Sequence, residues 1–361
     1  MEDDIRLMKG NEAVAVAAIR AGCDGYFGYP ITPQSEVMET LMQEKPWETT
    51  GMVVLQAESE VASINMVYGG ASVGKRVMTS SSSPGISLMC EGISYLAGAE
   101  LPCVIVDVTR GGPGLGTIQP GQSDYFQIVK GGGHGDYKTI VLAPNSVQEM
   151  SDFVEEAFDL AFKYLTPVII LSDGIIGQMM ERVKLRPAKD RPTFEEHVKL
   201  TGSWAATGKI NRTRNIVTSV RLVPEEQEEF NYKLQAKYRE IEKAETRAEY
   251  FMCDDAEYIF VAYGSSARIC KKSVELAREQ GYKVGLVRLI TLFPFPKQQL
   301  LALKPQLKGI LSVELSCGQM IEDIILTMGS DMLVDHYGRP GGVVHSPNEV
   351  LDALFSRIIN K

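Results

Sequence analysis

The 361-residue chain carries 37 Lys and Arg against 46 Asp and Glu, a formal net charge of −9, and no basic stripe, which argues against a nucleic-acid surface. Its length suits about two domains. Cys23, Cys90, Cys103, Cys253, Cys270 and Cys317 show no Cys-x-x-Cys spacing and no nearby His pair, so reduced thiols in a cytoplasmic chain are expected, with no metal and no iron–sulphur cluster held by it.

Met1-Glu2-Asp3-Asp4 is acidic, unlike a targeting segment, and no apolar run reaches membrane-spanning length, so a soluble, untargeted protein is expected. Gly10-Asn11 can open a helix over 12–21, which Gly22 ends. Residues 23–27 read as a buried strand and 35–42 as a helix. Between them, Gly28-Tyr29-Pro30-Ile31-Thr32-Pro33 is a strand-to-helix loop stiffened by two prolines, although Pro-x-x-Pro also punctuates ordinary turns. A strand over 52–55 runs into Gln56-Ala57-Glu58-Ser59-Glu60 and a small-residue helix over 61–74. The pattern repeats with a strand over 76–79, a loop from Ser80 to Gly85 and a helix over 86–97. A strand over 103–108 then delivers Thr109-Arg110 into Gly111-Gly112-Pro113-Gly114-Leu115-Gly116. A strand over 140–142, a helix over 147–162 and a strand over 168–171 complete a doubly wound parallel α/β domain, residues 1–177. Residues 178–255 form a linker and excursion with one amphipathic helix over 224–250, striped by Phe230, Leu234, Tyr238, Ile241 and Ala244. Residues 256–361 form a smaller α/β domain with strands over 258–262, 284–289 and 309–313, and helices over 267–279, 298–303 and 348–359.

Parallel sheets bind ligands beyond the carboxyl ends of their strands. Thr32, Glu58, Glu60, Ser80 to Ser83 and Arg110 all fall there. A carboxylate opening an apolar helix loses solvent and favours its neutral form unless paired, so Glu60 suits proton exchange. Equally, Ser59 can cap that helix with Glu60 at its positive end. Arg110, between a buried strand and a glycine-rich turn, points to anion recognition, with a surface salt bridge as the plain alternative. That turn lacks the Gly-Lys-Ser/Thr ending of a phosphate-cradling loop. Ser80 to Ser83 also fit a simple turn, and His134 reads as a loop histidine rather than a base.

Taken together, Tyr29-Pro30-Ile31-Thr32-Pro33, Ser59-Glu60, Ser83-Pro84-Gly85 and Thr109-Arg110-Gly111-Gly112-Pro113 resemble the alpha subunit of 2-oxoacid:ferredoxin oxidoreductases. Val261-Ala262-Tyr263-Gly264-Ser265 and Leu292-Phe293-Pro294-Phe295-Pro296 are similar to that subunit's transketolase C-terminal-like domain, and only the excursion matches weakly. The resemblance implies a thiamine-diphosphate enzyme in which this chain supplies the pyrimidine-binding domain. A diphosphate-binding beta subunit would hold the magnesium, since no Gly-Asp-Gly motif followed by Asn is found here. By the same resemblance, Tyr29, Pro30, Ile31, Ser82 and Ser83 border the cofactor. Glu60 would hydrogen-bond the aminopyrimidine ring nitrogen and favour the imino tautomer that removes the thiazolium proton. Thr32 and Arg110 would take the 2-oxoacid carboxylate, and coenzyme A would accept the acyl group. A gamma subunit and a ferredoxin-like delta subunit carrying iron–sulphur clusters are implied partners, with ferredoxin as acceptor. Ile118-Gln119-Pro120-Gly121-Gln122 favours the 3-methyl-2-oxobutanoate type over the 2-oxoglutarate and pyruvate types. From another class, the alternative is a non-catalytic regulatory or scaffold subunit that recruits partners through its long helix.

Overall fold

The computed structural model describes residues 4–209 and 212–361. In chain order the strands are β1 (Ile5–Lys9), β2 (Gly25–Gly28), β3 (Val53–Gln56), β4 (Val77–Ser81), β5 (Cys103–Thr109), β6 (Ile140–Leu142), β7 (Pro167–Asp173), β8 (Met180–Lys184), β9 (Ala248–Phe251), β10 (Tyr258–Ala262), β11 (Val284–Leu289), β12 (Thr291–Phe293), β13 (Gly309–Glu314) and β14 (Val334–Gly338). Seven of them form one sheet in the order β12-β6-β7-β5-β4-β2-β3, parallel except where β12 meets β6. The central β5 and β7 are buried along their whole length, which is why they read as mainly apolar runs. A second sheet follows the order β14-β13-β10-β11-β9, with only β9 antiparallel. The doubly wound parallel α/β pattern is thus present twice.

The expected helix over 224–250 stops at Ala244, and Ala248–Phe251 instead pairs with the free edge of β11. Helical propensity loses there to an open ladder that periodicity cannot reveal. Phe230, Leu234, Tyr238 and Ile241 are buried as expected, with Tyr238 edge-on to Phe293 at 6.2 Å between ring centres, whereas Ala244 is exposed. The stripe therefore covers the β12 edge of the first sheet. Ser80 and Ser81, expected in a loop, are the last residues of β4. Short elements also escaped the sequence pattern: β1 with β8, β12, β14 and the helix Met320–Met328. No helix among the described residues is long and apolar enough to cross a membrane.

Because Ile241 is fully buried in the hydrophobic core, Ile241→Ala should cost about 2–4 kcal/mol of stability. Denaturant unfolding measures this, and an unchanged midpoint would place the long helix outside the cooperative core.

Candidate active site at the carboxyl ends of the first sheet

The loop after β2 carries polar backbone over a buried floor, and side-chain amides satisfy it from below. Gln34 Nε2 donates to the Tyr29 carbonyl at 3.2 Å, while Asn11 Nδ2 and Gln178 Nε2 donate to the Pro33 carbonyl at 2.7 and 2.9 Å. Gln34 is fixed in turn by Ser80 Oγ, 2.6 Å from its Oε1, and Ser80 lies 2.8 Å from Tyr26 Oη. Tyr29 and Ile31 are half-buried on this support, and Pro30 and Thr32 face outward.

After β3, the helix Glu60–Ser72 begins with Ser59 as its cap, Ser59 Oγ accepting from the Ala62 N–H at 3.2 Å. The start of the helix at Glu60 places the two acids in different surroundings. Glu58 is exposed and accepts from Ser59 Oγ at 2.8 Å, whereas Glu60 is 6 % exposed. Glu60 packs against Gly85: a Cβ there would lie 2.7 Å from Glu60 Oε1 and 2.1 Å from Ser81 Oγ, so only glycine leaves both oxygens their space.

After β4, the Ser81 and Ser82 hydroxyls are buried without partners. Ser83 differs, because its hydroxyl donates to Asp124 Oδ2 at 2.5 Å and accepts from the Arg110 N–H at 3.0 Å. The Ser83 side chain, expected beside the cofactor, thus ties the turn after β4 to Asp124 and to the Arg110 backbone.

Arg110, after β5, is 8 % exposed. Its Nη1 donates to the Thr32 carbonyl and its Nη2 to the Leu115 carbonyl, both at 2.9 Å, while Nε is buried with no partner. The surface salt bridge is therefore not how this side chain is used. Thr32 and Arg110, 78 positions apart, are in direct contact through the Thr32 backbone. His134 lies on an exposed loop, its carbonyl accepting from Ser94 Oγ at 2.8 Å.

Two buried acids stand behind these loops. Asp107, fully buried, and Asp124, 7 % exposed, are within hydrogen-bonding reach of each other, and the Ser83 N–H donates to Asp107 Oδ1 at 3.3 Å. Burial, and then the neighbouring Asp124 charge, raises the Asp107 carboxyl well above the usual carboxylate range. Burial raises Asp124 as well, opposed by the hydrogen bonds from Ser83 and Asp107. Burial thus biases both carboxyls toward their neutral form, Asp107 the more strongly.

Comparison with known proteins follows the same plan. Residues 16–250 match the family described as pyruvate flavodoxin/ferredoxin oxidoreductase, thiamine diphosphate-binding, and residues 256–350 match pyruvate:ferredoxin oxidoreductase core domain II. The chain belongs to this family. It is 53 % identical over 326 residues to ketoisovalerate oxidoreductase subunit VorB of Methanothermobacter marburgensis, covering 90 % of each chain. In fold it is similar to the solved 2-oxoglutarate:ferredoxin oxidoreductase of Magnetococcus marinus, with 26 % identity and a TM-score of 0.85 over 98 % of this chain. The chain spans 65 % of the length of that solved chain. A split-gene transketolase shares the fold alone, at 11 % identity and a TM-score of 0.60, with 98 % of each chain covered. The chain is thus an alpha-type subunit of a 2-oxoacid:ferredoxin oxidoreductase, with a thiamine-diphosphate-binding domain and a transketolase-like fold.

Sequence reasoning missed Asp107 and Asp124. A lone acid inside the apolar run of β5 was the available signal for the first, and nothing local marked the second. Because both carboxyls are raised, the folded chain binds a proton at this pair more tightly than the unfolded chain, so stability falls as pH rises from about 4 through the raised values of the pair. Asp107→Asn puts a permanent N–H donor in place of that proton. It should unfold at a higher temperature than the parent at about pH 8 and lose this advantage toward about pH 4. Thermal scans across that range test it, and a variant less stable than the parent at the alkaline end would show that Asp107 is not held in its neutral form.

Proposed function

We propose that this chain is the pyrimidine-holding subunit of a cytoplasmic complex that oxidatively decarboxylates 3-methyl-2-oxobutanoate, passing the acyl group to coenzyme A and the electrons to ferredoxin. The observation that carries the reading is Arg110: its side-chain hydrogen bonds go to two carbonyls, and its Nε stays buried and unpartnered beside the Thr32 loop. A cation oriented by neutral groups and left with free donors suits a substrate carboxylate. The branched substrate is supported by the ketoisovalerate enzyme named for the 53 % identical relative. Coenzyme A as acyl acceptor is supported by the solved relative, which has coenzyme A and succinyl-CoA bound. Six unpaired thiols suit a reducing compartment. A beta subunit would hold the diphosphate and magnesium, and gamma and ferredoxin-like delta subunits would carry the iron–sulphur clusters.

The strand-end residues fit thiamine diphosphate. Gly85 leaves open the space that a Cβ would fill between Glu60 and Ser81, and the Ser81 and Ser82 hydroxyls are free of partners in the chain. Tyr29, Pro30 and Ile31 would wall the pyrimidine, with Glu60 against its ring nitrogen. The chemistry that thiamine diphosphate supplies when bound is stabilisation of the carbanion left by decarboxylation. Glu60 contributes a desolvated carboxyl that holds or returns a proton at the ring nitrogen. Arg110 and the exposed Thr32 hydroxyl orient the 2-oxoacid carboxylate, and Ser83 supports Arg110 from behind.

Glu60→Gln should leave the complex assembled and lower kcat by about a hundredfold or more, the scale for a positioned acid/base group. Near-normal turnover would move that role elsewhere. Arg110→Lys keeps the charge but loses the planar fork, so it should raise KM for 3-methyl-2-oxobutanoate while half-saturation by thiamine diphosphate is unchanged. Saturation kinetics on the reconstituted complex read both. If Arg110→Lys weakens cofactor binding alone, the arginine belongs to the cofactor site.

A further inference from the structure

The second sheet has the topology of a ligand-binding sheet, and its crevice is already filled. From β10 the chain turns to β11 on one side, and from β13 it turns to β14 on the other, so the connections diverge between β10 and β13. Such a switch point, at the carboxyl ends of parallel strands, is where open α/β sheets hold small molecules. Here it holds Gln122, a residue of the first unit and 1 % exposed.

Gln122 bonds to the loops on both sides of the divergence. Its Nε2 donates to the Tyr263 carbonyl at 3.0 Å, and its Oε1 accepts from Ser266 Oγ at 2.8 Å and from the Leu315 N–H at 3.0 Å. Its backbone repeats the pattern: the N–H donates to the Leu315 carbonyl at 2.9 Å, and the carbonyl accepts from Tyr263 Oη at 3.1 Å. Room is made by Gly264, at φ 55°, where a Cβ would lie 3.0 Å from Gln122 Nε2. The grip continues along the chain, since the Phe126 N–H donates to Gln319 Oε1 at 2.8 Å and Tyr125 Oη to Asp323 Oδ2 at 2.5 Å.

From Gln122 the connection to Arg110 is short. The segment before it runs antiparallel to Arg110, through the Arg110–Pro120 bridge and the Gly111 N–H to Gln119 carbonyl bond of 2.9 Å. Gly121 lies so close that a Cβ on it would be 2.9 Å from the Arg110 carbonyl carbon, and Thr109 Oγ1 donates to the Gly121 carbonyl. A shift of Gln122 therefore shifts the backbone that carries the guanidinium.

We propose that Gln122 is a positioning residue through which the C-terminal α/β unit sets the placement of Arg110 toward the 2-oxoacid. On this view the second unit uses its strand-end crevice to hold a loop of the first. The inference rests on the reading of Arg110 as carboxylate anchor, so the test includes Arg110→Lys beside the new variants.

The reconstituted complex is assayed with 3-methyl-2-oxobutanoate for the parent, Gln122→Leu, Ser266→Ala, Arg110→Lys and the double variant Arg110→Lys/Gln122→Leu. Gln122→Leu should raise KM about tenfold or more, and Ser266→Ala about two- to threefold, with half-saturation by thiamine diphosphate unchanged. The double variant should have a KM no higher than Arg110→Lys alone, because both changes act on one contact. The inference is overturned if Gln122→Leu lowers only the unfolding temperature, or if the two effects on KM multiply. Should Gln122→Leu fail to assemble, Ser266→Ala decides on the same split between KM and cofactor binding. A KM rise in Arg110→Lys without one in either other variant sinks this inference alone, whereas an unchanged KM in Arg110→Lys removes the anchor reading and this inference with it.

Discussion

The placement of the strand-end loops depends on one buried point, the acids Asp107 and Asp124, whose carboxyls burial biases toward the neutral form. Ser83 is held by both acids and in turn accepts from the Arg110 backbone, so the turn after β4 and the turn after β5 are fixed to one buried point. Its backbone, at φ 21°, is unfavourable for a residue with a side chain and persists because these bonds determine it. A water-filled gap in the same place would leave the turns free to separate. A protonated pair keeps them together without placing a net double charge beside the site.

The two α/β units divide the work unequally. At the strand ends of the first sheet collect the buried Glu60, the buried and unpartnered hydroxyls of Ser81 and Ser82, and the buried, unpartnered Arg110 Nε. The second sheet presents equivalent strand ends inward, against residues 122–126, and spends its polar atoms on them. Even Glu314, at the end of β13 and fully buried, is used structurally: it accepts from Ser312, Ser316 and the backbone N–H groups of Gln319, Met320 and Ile321, which closes the start of the helix Met320–Met328. One topology thus serves chemistry in one unit and support in the other.

How much of this the sequence disclosed follows from the range of the interactions concerned. The strand-helix alternation was legible because β5 and β7 are buried on both faces, and that made Thr32, Glu60, Ser82 and Arg110 recognisable as strand-end residues. Glu60 was legible as the acid that opens its helix, but that it is buried against Gly85 while Glu58 is exposed depends on the turn after β4. The pairing of β1 with β8 joins residues 5–9 to 180–184, and no local pattern carries a contact of that separation. Asp124 was silent for the same reason: its burial depends on the glycine-rich loop returning to Gln122. Ser83 was legible as a strand-end hydroxyl, but its commitment to Asp124 depends on that same return.

The chain's charge gives the local geometry its importance. A 2-oxoacid is an anion, and a chain of net charge −9 offers it no general attraction. Charges more than about 8 Å away are largely screened at physiological salt, so neither this excess nor distant lysines govern binding. What remains is the field of groups within contact distance, which grows as solvent is excluded. Arg110 is 8 % exposed, its Nη atoms are oriented by carbonyls, and burial biases the carboxyls behind it toward the neutral form, which reduces their opposing charge. On the proposed reading of Arg110 as carboxylate anchor, acids biased toward their neutral form behind it compete less with the 2-oxoacid for the guanidinium, so their burial bears on recognition as well as on the fold.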